Sequence, residues 1–186
     1  DYRGLVPLSV FIAIPMAKGH GRTSRPNGEP PAAWMLHTAD SMNEASPGMG
    51  PAGMLTLTFA LGLRVFPIRV LHGATQWRSP KLRVYSDLGP LELLTAYTPA
   101  HSLPRTFAYR VPIDETRLAH LLAAPRHHPL APPANVLLDV DDLAQLQHVQ
   151  SELEAGVRYE LVDEPKARGT FVTAPLRRTP AAGSAP

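Results

Sequence analysis

Apolar and polar positions alternate from Leu55 to Val65: Leu55, Leu57, Phe59, Leu61, Leu63 and Val65 are interleaved with Thr56, Thr58, Ala60, Gly62 and Arg64. A period of two predicts a half-buried strand, because successive side chains of a strand point to opposite faces. The phase slips at Val65–Phe66 and Pro67 follows, which predicts a bulge or corner before a further strand from Ile68 to Leu71. Leu5 to Ile14 is rich in Val, Ile, Leu and Phe and predicts a buried strand, with Pro7 and Pro15 placing its ends at an edge or bend. Trp34–Thr38 predicts a short strand. Leu82 and Val84 alternate with Lys81, Arg83 and Tyr85 in strand fashion, and Leu91–Tyr97 and Thr106–Val111 predict two more strands.

Helical periodicity appears late in the chain. Asp114 is placed to cap a short helix carrying Leu118, Leu121 and Leu122 and stopped by Pro125. A longer helix is predicted from Asp142 to Ala155: Asp142 and Gln145 form a capping-box pattern, Leu143, Leu146, Val149 and Leu153 share a face, and Gly156 follows at the C-terminal cap position. Strand-like Val136–Val140 and Val157–Val162 flank it. Between these elements, Lys18–Gly28, Asn43–Gly53 and the linker Pro125–Pro133 carry the turn and proline signals of loops. The pattern predicts an α+β fold with a mainly antiparallel, sandwich-like β body over residues 1–124. A Pro-rich linker follows at 125–134, then a strand–helix–strand–strand unit at 135–174 and a Pro/Ala-rich tail at 175–186.

At 186 residues and 44 % hydrophobic content, the chain supports a real core. Its longest apolar run, Leu5–Ala17, is broken by Pro7, Ser9 and Pro15, is too short to span a bilayer, and lacks a signal-peptide basic region. The absence of cysteine excludes disulfides, thiolate metal sites and a cysteine nucleophile. The 21 prolines, and a first residue that is Asp rather than Met, suggest a processed product whose loops are ordered by neighbours in an assembly. Charge is divided along the chain. Residues 1–86 hold nine Lys/Arg against four Asp/Glu, residues 87–164 hold five against twelve, and the remainder adds four cations and no acid. Such polarity suits packing between subunits, or one face turned to polyanion.

Four constellations are candidates for chemistry. Val136-Leu-Leu-Asp-Val-Asp-Asp-Leu143 resembles the first motif of haloacid-dehalogenase-type phosphatases, a hydrophobic strand ending in Asp-x-Asp-x-Thr. The resemblance implies Asp139 as nucleophile and Asp141 as acid/base beside a magnesium ion. Leu143 stands where that family has Thr, and helix capping by Asp141 and Asp142 accounts for the same residues. Eight histidines occur without an HExxH pair or comparable ligand spacing. The loop bearing Lys18, Arg22 and Arg25 and the basic stretch Arg64, Arg69, Arg78, Lys81 and Arg83 are candidates to face nucleic acid or a neighbouring subunit. Trp77 and Tyr85 are the matching candidates to stack on bases or pack at an interface. Leu103–Tyr109 resembles, in scattered residues, a late segment of aphthovirus surface capsid proteins; the strand–helix–strand after it departs from that family.

These features point to a non-enzymatic structural subunit or decorating component of a large assembly, with a virus particle as the setting. Its partners would be other protein subunits, including copies of itself, and no membrane or cofactor is called for. The rival reading is an RNA-binding accessory protein of a ribonucleoprotein such as an organellar ribosome. A magnesium-dependent phosphohydrolase is a third.

Overall fold

A computed structural model describes residues 9–16, 33–41, 50–66, 68–98, 105–123, 133–169 and 171–180. Its strands are β1 (Ser9–Pro15), β2 (Ala33–Ser41), β3 (Val70–Gln76), β4 (Leu91–Leu93), β5 (Thr106–Pro112), β6 (Val136–Asp139), β7 (Arg158–Leu161), β8 (Lys166–Arg168) and β9 (Phe171–Thr179). Its helices are α1 (Gly50–Val65), α2 (Leu82–Leu88), α3 (Glu115–Ala123) and α4 (Leu143–Glu154). The fold is α+β with a mainly antiparallel β body, as expected. Its second layer is helical, where a sandwich would place a second sheet.

The strands form one nine-stranded sheet in the order β1-β2-β3-β5-β4-β7-β9-β6, with β8 also on β9. Among the described strands only β2 and β3 pair in parallel. β4 pairs with β7 through Leu91↔Leu161 and Glu92↔Glu160, so strands from the two expected units belong to one continuous sheet. β9 continues through Thr179, into the stretch expected as tail. Pro175 in β9 has no N–H to donate. It lies opposite the break between β7 and β8, where its carbonyl accepts from the Val162 N–H at 3.1 Å.

Two predicted strands are helices. Over Gly50–Val65 the interior residues are Leu55, Thr56, Phe59, Ala60 and Leu63, a helical stripe, while Leu61 and Val65 are exposed. The alternating set and the helical set share Leu55, Phe59 and Leu63, because every fourth residue is also an even step. Small or neutral residues between them hide the difference. Packing decides it: the Phe59 ring sits 4.8 Å from Phe11 of β1 and 5.8 Å from Tyr85 of α2. The Leu82–Leu88 segment likewise buries Leu82, Val84, Tyr85 and Leu88, and Tyr85 stacks on Tyr109 at 5.4 Å. The predicted strand Leu91–Tyr97 stops at Leu93, after which the Leu94 and Thr95 amides both turn to the Ala108 carbonyl.

α4 matches its prediction closely. The Asp142 carboxylate accepts from the Ala144 and Gln145 amides. At the other end the Gly156 amide donates to Leu153 and the Val157 amide to Glu152, a Schellman closure, with Gly156 at φ 88°. α3 begins after Asp114, whose carboxylate accepts from the Thr116 and Arg117 amides.

The helices lie on one face of the sheet. Tyr159 and Leu161 beneath α4 continue across strand pairs into Leu91, Leu93 and then Tyr109, which lies beneath α2. The other face is crossed by a row of paired residues, Ile14, Met35, His72, Arg110, Glu92, Glu160 and Arg177, and no helix covers it among the described residues. In that row the like charges Glu92 and Glu160 are opposed. Each is neutralised from its far side, Glu92 by Arg110 at 2.6 Å and Glu160 by Arg177.

Candidate functional site

The aromatic residues of the basic stretch lie inside the fold, whereas several of its cations form ion pairs at the surface. Trp77, a candidate stacking residue, is fully buried: its ring stacks on Phe107 at 3.9 Å and its indole N–H donates to the Ala96 carbonyl at 2.9 Å. Tyr85 is buried as well. This corrects the surface role expected of both aromatics. An indole that must bury its ring and satisfy its N–H is at home in a core that offers a free carbonyl. Arg69 pairs with Glu115 at 2.8 Å, Arg78 with Asp141 at 3.0 Å, and Lys81 Nζ donates to the Ala39 carbonyl. Arg83 has a buried Nε. Arg64 is exposed on the last turn of α1. Lys18, Arg22 and Arg25 lie outside the described residues, as does most of the three loops expected to be ordered in an assembly.

The acidic motif at the end of β6 is engaged in local hydrogen bonds and ion pairs. The Asp139 carboxylate accepts from the Asp141 amide at 2.9 Å. Asp141 receives Arg78 and Arg105 and also the Val172 amide at 3.1 Å. Asp142 caps α4, and Gln145 closes the cap by donating to Asp142 and accepting from the Asp139 amide at 3.0 Å. Asp142 has the capping role expected of it, whereas Asp141, expected at the helix N-terminus beside it, instead holds two guanidiniums and the Val172 amide. Among the described residues no three His, Asp or Glu side chains stand close enough to hold a metal ion.

A cleft of about 580 Å³ lies between α4 and strands β6, β7 and β9. Val136 and Leu138 from β6 and Ala144 and Val149 from α4 give it an apolar floor. One end is polar. Glu152 accepts from Arg178 Nη2 at 2.6 Å and from the Tyr159 hydroxyl, with His148 Nε2 at 3.7 Å. Hydrogen bonds from Arg178 and then Tyr159 hold the Glu152 carboxyl below its ordinary range. Burial, and then the Glu152 carboxylate, push the Tyr159 phenol up to about 12. Asn135 fixes the strand that carries the guanidinium: its side chain accepts from the Arg178 amide at 2.7 Å and donates to the Arg178 carbonyl at 3.1 Å.

Sequence reasoning noted His148 only as one of eight histidines and did not single out Glu152, Tyr159 or Arg178. The signal within reach was the His148/Glu152 pair at i, i+4 on the polar flank of a well-predicted helix. No family model matches the chain, and no curated protein or solved structure shows a significant similarity to it.

Proposed function

We propose that the chain is a non-enzymatic structural subunit of a larger protein assembly, joined to its neighbours through β1, with a virus particle as the setting its composition favours. The observation that carries this reading is the edge strand itself. β1 pairs only with β2 among the described strands and carries no charged residue. Its outward side chains Val10, Ile12 and Ile14 are 42 %, 45 % and 51 % exposed, and Met35 beside them is 40 % exposed. Natural sheets blunt their edges with charge, proline or bulges, because an open apolar edge is a template for another strand. Here the bulge lies on the inner strand, where Ile12↔Thr38 is followed by Ala13↔Leu36 and His37 is the extra residue, so the outer strand stays regular.

The occupant is a second copy of β1. A two-fold axis through Ile12 sets the strand antiparallel to itself and brings Val10 of each copy against Ile14 of the other. The contact is self-complementary, as a two-fold interface requires. Among the described residues no helix is long and apolar enough to cross a membrane. Light scattering of the purified chain is expected to give a mass above that of one chain, and Ile12→Lys a folded monomer with an unchanged circular dichroism spectrum. Because the chain has no cysteine, Ile12→Cys is expected to cross-link to its counterpart under mild oxidation. A wild-type protein that stays monomeric across the micromolar range, with no cross-link, overturns the reading.

A further inference from the structure

The cleft beneath α4 combines an apolar floor with a polar end whose hydrogen-bonding capacity is unevenly used. Its volume, about 580 Å³, falls in the range of roughly 300–1,000 Å³ typical of small-molecule sites. Both oxygens of Glu152 are occupied: Oε1 accepts from Arg178 Nη2 and Nε, and Oε2 accepts from the Tyr159 hydroxyl. The carboxylate therefore has little left to offer a cationic ligand. Arg178 has donors to spare, since a guanidinium carries five N–H groups and its contacts to Glu152 use only Nε and Nη2. The polar end is thus a net donor site beside an apolar floor.

We propose that the cleft binds a small amphipathic carboxylate, with its hydrocarbon portion over Val136, Leu138, Ala144 and Val149 and its head group on Arg178. A carboxylate matches the guanidinium better than a neutral acceptor does, because the hydrogen bonds are charge-assisted and their geometry is fork-like. Glu152 and Asn135 are positioning residues, fixing the guanidinium and the strand that carries it. A ligand with an ammonium head would have to compete with Arg178 for Glu152.

Calorimetric titration with octanoate, octanol and octylammonium tests the proposal on the full chain. The expected result is saturable binding of octanoate at least tenfold tighter than of the alcohol or the amine, with amide and methyl NMR shifts confined to β6, α4, β7 and β9. Ala144→Trp blocks the cleft from an exposed helix position without removing core atoms, and is expected to weaken octanoate at least tenfold. Arg178→Lys is expected to erase most of the preference for octanoate over octanol while octanol binding persists. Absence of saturable octanoate binding, equal affinity for acid and alcohol, or undiminished binding by Ala144→Trp overturns the proposal. The wild-type selectivity and the Ala144→Trp variant decide the matter even if Arg178→Lys fails to fold.

Discussion

At the residue scale, Tyr159 shows how a paired strand position becomes part of a polar cluster. Its register partner is Arg178, and its hydroxyl meets Glu152 from the helix above. The phenol titrates at about 12 in the fold against 10.0 for the free group. A raised value means that folding favours the protonated phenol. The corresponding stability is fully present below about pH 10 and is lost as pH rises through 12. Tyr159→Phe lacks this group, so urea denaturation at about pH 9 should find the wild type more stable by about 1–3 kcal/mol. By about pH 11.5 the gap should shrink markedly. Tyr109 is also pushed up by burial, but it is present in both proteins and cancels in the comparison. A gap that stays constant between the two pH values would mean that the hydroxyl gains nothing from Glu152.

At the element scale, legibility followed locality. α4 was readable because its cap, stripe and Gly156 all lie within one short window. The C-terminal end of β1 was readable because Pro15 marks it. α1 was not, since Leu55, Phe59 and Leu63 satisfy both periods, and the choice is made by Phe11 and Tyr85, which lie far away in sequence. α2 was misread for the same reason, its Tyr85 being claimed by Tyr109. The polar end of the cleft was equally hidden: Tyr159 and Arg178 meet only through the β7–β9 register, which no local pattern encodes. The turn after α2 supplies a test of packing between elements. Gly89 is extended at φ 170°, so its conformation suits any residue. A Cβ there would nevertheless lie 2.0 Å from the Pro112 carbonyl oxygen. Gly89→Ala should therefore cost about 1–3 kcal/mol or more, because backbone must move. Thermal unfolding of the variant checks it, and a midpoint equal to wild type would mean that α2 and β5 can separate freely.

At the scale of the whole molecule, the junction of β4 with β7 is short, and side chains reinforce it. Asp141 gathers Arg78 and Arg105 from the first part of the chain and the Val172 amide from the last. Gln150 on α4 accepts from the Ala96 amide at 2.9 Å. With Leu91, Leu93 and Leu161 forming a continuous core beneath them, the sheet is expected to unfold as a unit. Both tryptophans lie before the junction, whereas circular dichroism reports on the whole. Coincident denaturation curves from the two probes are expected for the wild type, and for Asp141→Ala a loss of about 1–3 kcal/mol with the curves still coincident. Curves that diverge would mean that the two parts fold separately and only touch.

The cap on α4 also bears on how large an assembly this sheet can make. The Gln145 side chain spends its carbonyl on the Asp139 amide, at the far border of the sheet from β1. Among the described strands, one border is thus open and regular, and the other is short and partly stoppered. Two copies joined at β1 would leave outward the partly stoppered β6 and the three-residue β8, both poor templates for a further strand, so growth by strand addition is expected to favour a pair over a fibre. Any higher order would then draw on other surfaces, with such a pair as its brick.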